Sequence, residues 1–462
     1  MTTKITGTLS GILTLDINGK LYKATRPTVV TINQAFNVEA VPAPPPIPPL
    51  PPPPPPEPVP SPTPTPVPVP EPGTMRALPN VGIRMAGALH PTENSEPVGA
   101  RLPTTTLARP AQNGVVTDSQ FSGVPIRGLV VGRVPWYSQL QAVSPDGQRI
   151  LLVKPDGDTQ MFDRTTLAQV GSLPGDALAP RWLPDGRVLY IASGDGQNYR
   201  FLTHDPVTDL TDSLYKSLYP YGRADKVHEE VSDDGAWTAA LMHNGVSGSP
   251  RWAAAVNLRE GRLGAQLAVD DDAVNWVRAT PDGKYLAIQW NAAADNVPGP
   301  RKTGIELFDI ETGVFVRQMA PQGHHGDWGR MPDGRVFYAT HHQAHPANSN
   351  YPSVVLYWAD GAPVTHLRMV FWGTISHISC RGPRGWIVIT NQRPGTEVPD
   401  AQAEIWLMRA DTGEVVRLAH HRSTSNDYWS EPHATITRDG LLIIFGSRWN
   451  GAPLQSFALE LP

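Results

Sequence analysis

A single repeat governs what this chain can fold into. A turn glycine recurs at Gly147 (SPDG), Gly186 (LPDG), Gly235 (SDDG), Gly283 (TPDG), Gly334 (MPDG), Gly385 (GPRG) and Gly440 (TRDG), at intervals of 39, 49, 48, 51, 51 and 55 residues. All but the sixth carry Asp-Gly, in which the aspartate favours the turn through local side-chain bonding and the glycine supplies positive φ. An apolar run follows each turn: Ile150–Val153, Val188–Ile191, Trp237–Leu241, Tyr285–Ile288, Val336–Ala339, Trp386–Ile389 and Leu441–Phe445. Such runs read as strands buried on both faces. A third strand comes next, as at Gln160–Asp163, Ile305–Asp309, Val354–Trp358 and Glu404–Met408, and a fourth precedes the following turn, as at Val314–Met319 and Val415–Leu418. Four strands per unit of this length describe a propeller blade, and seven turns describe seven blades. No helical periodicity competes, so the fold class is all-β. The last blade, around Ser430–Gly451, has only three strands of its own, ending at Leu454–Leu461. Arg127–Val134 is predicted to supply the fourth, closing the ring and removing the exposed edges that invite aggregation.

Upstream of the repeat the composition changes twice. Residues 1–40 form a small β module in which two strand-like stretches flank Asn18-Gly19, a strong two-residue hairpin signal. A module of forty residues without a disulfide or metal seldom folds alone. It is therefore expected to dock into a larger assembly or to self-associate. Residues 41–72 hold 20 prolines in 32 positions. Proline fixes φ near the polyproline II value and lacks the amide donor, so this segment is a stiff spacer of roughly 100 Å rather than a packed element. Residues 73–125 read as an irregular lead-in lying on the surface of the propeller, which occupies 126–462.

Charge and cysteine content exclude several functions. Charged residues are 18% of the chain and the formal net charge is −5, so nothing points to a nucleic-acid partner. Cys380 is the single cysteine, which rules out an internal disulfide framework. The first residues lack the basic and continuous apolar regions of a secretory leader, and no apolar run is long enough to span a membrane. Neither a secretory route nor membrane insertion is expected. No Walker A, GxGxxG or zinc-finger spacing is present.

The repeat also sorts the polar residues. As in known propellers, the loops before first strands and after second strands share one face, opposite the Asp-Gly turns. On that face fall His228, His324, His325, His377 and His433 before first strands. His243, His341, His342, His345, Arg393, Arg448 and Trp449 follow second strands, and His420 and His421 end a fourth strand. Eleven of the fourteen histidines thus gather on one face. Imidazole is the commonest protein metal ligand and a general base near neutral pH. His228 and His433 both stand seven residues before their turn glycine, Asp327 holds the same position, and His377 stands eight before. These side chains are predicted to converge at the mouth of the channel. Trp276, Trp328 and Trp449 flank the same loops, where aromatic faces suit sugar stacking.

The repeated PDG turn followed by an apolar strand resembles the TolB-like and WD40-like propellers. The last blade, EPHATITRDGLLIIFGSRWNG, resembles the end of the oligogalacturonate lyase family and related propeller polysaccharide lyases. In that family a His-Pro-His element carries metal ligands at this point; here Glu431-Pro432-His433 stands in its place. The GHHGDW stretch at 323–328 resembles the family's other histidine-bearing approach to a blade. The resemblance implies a divalent cation such as Mn or Ca held by His324, His325, Glu431 and His433. It also implies His228 or His377 as the base and Arg393 or Arg448 as the partner of a uronate carboxylate. His243, His341 and His342 would line the ligand face with the tryptophans. The anchor and spacer resemble those of a bacteriophage virion fibre or decoration protein.

Three functions follow from this reading. In the first, residues 1–40 attach to a virion or other assembly, and the stalk displays the propeller so that its His/Trp-rich face binds host-surface carbohydrate. In the second, the propeller is a metal-assisted lyase of uronate-containing glycans. In the third, the face holds another protein. A virion surface, or otherwise the cytoplasm, is the expected location.

Overall fold

The computed structural model describes residues 14–17, 20–23, 75–85, 105–121, 123–155, 157–174, 177–193, 199–216, 223–225, 231–243, 251–269, 274–290, 302–321, 325–345, 348–369, 375–391, 403–423 and 427–462. The chain divides into two compact units, Met1–Val69 and Pro70–Pro462. In the first, Thr14–Ile17 pairs antiparallel with Lys20–Lys23. The predicted spacer at 41–72 lies outside the described residues.

The second unit is a seven-bladed β-propeller. Blades 2 to 5 are sheets of four consecutive antiparallel strands. Their innermost strands are Leu178–Trp182, Arg223–Asp225, Val274–Ala279 and Gly326–Arg330. Blade 6 begins at Ile375–Ser379 and blade 7 at Thr435–Ile436. The ring closes between the two ends of the domain: Gln455–Glu460 pairs with Pro125–Val131, with Leu459 opposite Ile126 and Gln455 opposite Val131. The closing strand starts two residues earlier than the sequence suggests and stops at Val131, because the chain then turns into the centre of the ring.

The turns show why this sequence makes blades. In six of them the aspartate accepts from the backbone amide two residues on, as Asp146 does from Gln148 (2.9 Å) and Asp439 from Leu441 (2.9 Å). In four, a hydroxyl three residues before the glycine completes the knot. Ser144, Ser232, Thr280 and Thr437 each donate to the turn aspartate (2.5, 2.6, 2.7 and 2.5 Å). Each of these hydroxyls also accepts from the amide five residues ahead (2.9, 2.9, 3.0 and 3.0 Å). One hydroxyl therefore satisfies the amide that opens the second strand, and the apolar run follows in register. That run is buried throughout: Val188–Ile191, Leu286–Ile288 and Ile443–Phe445 are 0% exposed. Neighbouring blades share these side chains as one core, for example Ile389 and Trp406 of blade 6 with Phe337 and Leu356 of blade 5.

Two features were not foreseen. Residues 73–125 include two short strands that extend the outer edges of blades. Ile83–Met85 pairs with Val415–Arg417 of blade 6, and Val115–Thr117 pairs with Pro125–Arg127. The second feature lies at the axis. Blade 1 has three regular strands. Its innermost segment touches them at two bridges, Val134 with Val153 and Val143 with Ile150. Between these bridges the chain crosses the channel. Gln139 Nε2 donates to Gly326 O of blade 5 (2.8 Å), and Gln141 Nε2 donates to Arg381 O and Ile436 O of blades 6 and 7 (2.7 and 2.8 Å). Leu140 packs among apolar side chains of blades 2 and 3. This segment fixes the blades to one another and places Tyr137 beside the histidine face.

No helix among the described residues is long and apolar enough to cross a membrane.

Candidate metal centre

The approaches to blades 5, 6 and 7 and the crossing segment of blade 1 bring their polar side chains together. His377 stands on the innermost strand of blade 6 and is 2% exposed. His433 precedes the innermost strand of blade 7 and is 0% exposed. Glu431, half-buried, lies between them, with Oε2 3.5 Å from His377 Nε2 and 3.6 Å from His433 Nε2. One ligand atom from each of the three residues falls within 4.8 Å of the others. Donor atoms bound to one tetrahedral ion at 2.0–2.1 Å stand about 3.3 Å apart, so the set fits a divalent cation after a small closure. Its two imidazoles and one carboxylate are the donors that zinc, manganese or iron take.

The local chain geometry holds the group together. His433 adopts φ 43°, a left-handed conformation uncommon outside glycine. Such strain costs on the order of 1–3 kcal/mol and persists where the surroundings over-determine it. Here Gly446 N donates to Pro432 O (2.8 Å) and Glu431 N to Tyr428 O (3.1 Å), pinning both sides of the bend. A Cβ at position 446 would lie 2.6 Å from Val134 Cγ1, so only glycine lets the second strand approach this closely. Burial, reinforced by His433 and opposed by Glu431, pushes the His377 imidazole well below its ordinary range. It is therefore neutral at physiological pH, the form that ligates metals. Its Nδ1 is buried with no hydrogen-bond partner among the described residues.

Around the triad stand His325 and an aromatic group. His325 is exposed, and its ring stacks on that of His377 at 5.9 Å and 26°. Tyr137 lies 5.2 Å from the ring of His377 and 4.9 Å from that of His433. Tyr428, on the 3-10 turn Tyr428–Ser430, lies 4.8 Å from His433. Burial, with Tyr137 and Glu431 nearby, pushes the Tyr428 phenol above its ordinary range, so it remains protonated. Arg448 donates from Nε to Asp427 (3.1 Å), the residue that caps this turn.

The structure redistributes the residues singled out from the sequence. His377, Glu431 and His433 come together, so His377 falls within the candidate metal set rather than outside it. His325 stands beside the set, against His377. Asp327 occupies the position equivalent to His433 but points elsewhere: its carboxylate accepts from Cys380 N (2.6 Å) and from Arg381 Nε and Nη2 (2.9 and 2.8 Å), tying blade 5 to blade 6. The three tryptophans expected to meet a ligand are packing residues instead. Trp276 lies under the Arg278 guanidinium at 4.2 Å, Trp328 is 2% exposed against Tyr338, and Trp449 donates from Nε1 to Leu107 O (2.9 Å) while packing on Phe457. Each fills a space between blades or beneath the lead-in, and none offers a face to solvent. His341 is likewise buried, at 3% exposure. His228, His324 and Arg393, and the side chains of His243 and His342, lie outside the described residues.

Sequence reasoning missed Tyr137 and Tyr428. Tyr137 belongs to a segment that looks like an ordinary first strand, and Tyr428 to a short turn before Glu431. It also missed what His420 and His421 do. His420 and Arg422 meet Asp118 in a fully buried cluster that fastens the lead-in to blade 6. His421 Nε2 lies 3.1 Å from Asn391 O, and His421 Nδ1 accepts from Ser423 N at 3.1 Å. Ser423 Oγ in turn donates to Ser430 O, one residue before Glu431.

No protein-family model and no curated protein sequence matches the chain. Solved structures do. An oligogalacturonate lyase in complex with manganese superposes with a TM-score of 0.59 at 15% identity, covering 77% of this chain and 97% of that one. The oligogalacturonate lyase of Vibrio parahaemolyticus gives 0.58 at 13% identity, covering 76% and 99%. At this identity the likeness is one of fold. The second unit of this chain is a seven-bladed β-propeller of the architecture found in the oligogalacturonate lyases.

Proposed function

We propose that the protein is a metal-dependent lyase acting on uronate-containing glycans. The observation that carries the reading is the group His377, Glu431 and His433, in a propeller whose structural neighbours include an oligogalacturonate lyase bound to manganese. β-Elimination in a uronate chain removes the C5 proton, places negative charge on the adjacent carboxylate and expels the oxygen at C4. A divalent ion held by the three residues would neutralise that carboxylate and so acidify C5. His325, exposed and stacked on His377, would take the proton in this scheme. Arg448, paired with the Asp427 that caps the turn carrying Tyr428, offers a guanidinium that can pair with a carboxylate. His377, assigned to the candidate ligand set, is not the base in this scheme.

The test has two readouts. Manganese binding is measured by calorimetry on the full chain, and turnover is followed as ultraviolet absorbance of the unsaturated product from pectin, alginate and ulvan fragments. Wild-type protein is expected to bind manganese and to generate unsaturated ends from at least one fragment. His433→Ala is expected to lose both. Retention of metal binding and activity in that variant would remove the basis of the reading.

A further inference from the structure

The metal group does not account for the aromatic residues beside it. Tyr428 keeps 45% of its surface exposed, although its neighbour Ser430 is buried and the turn is pinned at both ends. Its ring is nearly parallel to that of Tyr137, at 11° and 6.4 Å between centroids. Beneath this pair, Trp136 and Trp429 meet edge to face at 6.0 Å, and Trp429 meets Tyr428 at 5.3 Å and 85°. Both tryptophans pack on the small apolar cluster of Val134, Val153 and Leu454, so the platform is rigid from below. Two ring faces held parallel on such a base suit the C–H face of a pyranose. Tyrosine joins an apolar ring to a polar end, which is why such residues serve at wet recognition sites.

Charge then selects the sugar. Arg448 is held against Asp427 with side chains 36% and 43% exposed. An ion pair in that much solvent is worth about 0–1 kcal/mol, so exchanging Asp427 for a ligand carboxylate costs little. An arginine carries five N–H donors in a fork that matches a carboxylate, and Asp427 receives one of them. We propose that Tyr137 and Tyr428, supported by Trp136 and Trp429 and flanked by Arg448, form a subsite for one uronosyl residue of an acidic glycan. This rests on reading the face as glycan-directed, and it adds a binding element that works without the metal. Because Glu431 alone repels a uronate and a divalent ion beside it reverses that charge, metal and glycan reinforce one another's binding.

The experiment is a binding titration of the full chain, followed by calorimetry and tryptophan fluorescence. The probes are trigalacturonate, trimannuronate and triguluronate, with galactotriose as the neutral control, each in EDTA and in Mn²⁺. At least one uronate is expected to bind in EDTA, with galactotriose about tenfold weaker or more. Tyr428→Ala is expected to lose about tenfold in uronate affinity in EDTA, and Tyr428→Phe, which keeps the ring, to stay within about threefold. Arg448→Ala should weaken the uronate and leave galactotriose unchanged. His433→Ala should lose the gain given by Mn²⁺. Binding of no uronate, equal binding of galactotriose, or wild-type affinity in both Tyr428→Ala and Arg448→Ala would overturn the subsite. Glycan binding without unsaturated product would defeat the lyase and leave the subsite standing. Turnover unaffected by Tyr428→Ala would do the reverse.

Discussion

Acidification should destabilise the fold through His421, a residue outside the His377, Glu431 and His433 group. Its two ring nitrogens are both committed: Nδ1 accepts from Ser423 N, so Nε2 carries the proton and donates to Asn391 O. A second proton has to enter at Nδ1 and break the bond to Ser423. Burial, with the charges of His420 and Arg422 adding to it and the bond to Asn391 O opposing it, pushes the imidazole down to about 3. In the unfolded chain the same group titrates near 6.5, so between these values only the unfolded state is protonated. The contribution to stability is complete above about pH 6.5 and is lost as pH falls towards 3. Each pH unit is worth about 1.36 kcal/mol, so about 2 kcal/mol has gone by pH 5 and on the order of 5 by pH 3. His421→Gln isolates the effect. Glutamine keeps a donor for Asn391 O but leaves Ser423 N–H buried without its acceptor, at a cost of about 1–3 kcal/mol. Urea denaturation in EDTA should show the variant less stable by that amount at pH 7.5. The gap should close by about 2 kcal/mol at pH 5, because only the wild type still carries the titrating group. His377, also depressed by burial, is common to both proteins and cancels in the difference. A gap that stays constant from pH 7.5 to 5 would refute the account.

Other perturbations separate the remaining terms. Asp118→Ala leaves Arg422, 1% exposed, without its carboxylate, and should cost about 3–5 kcal/mol in urea denaturation while exposing residues 105–117 to limited proteolysis. Gly440→Ala and Gly186→Ala both place a side chain at positive φ. The first Cβ meets Pro383 Cγ at 2.7 Å and Trp386 Cζ3 at 2.9 Å, whereas the second meets nothing within 4 Å, so Gly440→Ala should be the worse by about 1–3 kcal/mol. Equal losses would show that backbone strain alone sets the cost. Phe445→Ala, in the core of blade 7 and stacked on Phe457 at 5.4 Å, should cost about 3–5 kcal/mol in the same assay, and Val207→Ala, 76% exposed, less than about 0.5.

The propeller was legible because its turns and its second strands are local chemistry. Asp439, Gly440 and Thr437 form their knot within four residues, and Leu442 to Phe445 alternate into two cores whichever blade they belong to. A second signal of the same kind lay unused. The turn from third to fourth strand repeats an aspartate followed by threonine, as where Asp309 accepts from Thr312 N and Oγ1 (2.8 Å each) and Asp163 from Thr166 N and Oγ1 (2.7 and 2.8 Å). The candidate site was only half legible, because position along the repeat fixes which face a residue approaches but not what waits there. Asp327 and His433 hold equivalent places before their turns. Arg381 from the next blade neutralises Asp327 and converts it into a fastener. His433 meets Glu431 and His377 and becomes a candidate ligand.

The same limit explains the tryptophans. Trp276, Trp328 and Trp449 were placed near the right loops, yet each turns into an interface between elements, where about 150–250 Å² of aromatic surface is best buried. The aromatic residues left at the face are ones the repeat does not mark. Tyr137 reaches it because residues 135–141 leave the blade 1 sheet, and they leave because Gln139 and Gln141 find carbonyl acceptors on three other blades. Tyr428 reaches it because Asp427 caps a single 3-10 turn. Both depend on contacts with residues more than 150 positions away or on one isolated turn, and neither is a periodic property. A propeller's framework is therefore written in its repeat, and its specificity is written in the departures from it. In this chain the departures at Trp136–Gln141 and Asp427–His433 pack against one another, Trp136 on Trp429 and Tyr137 on Tyr428 and His433. They are where substitutions should change what the protein binds without changing how it folds.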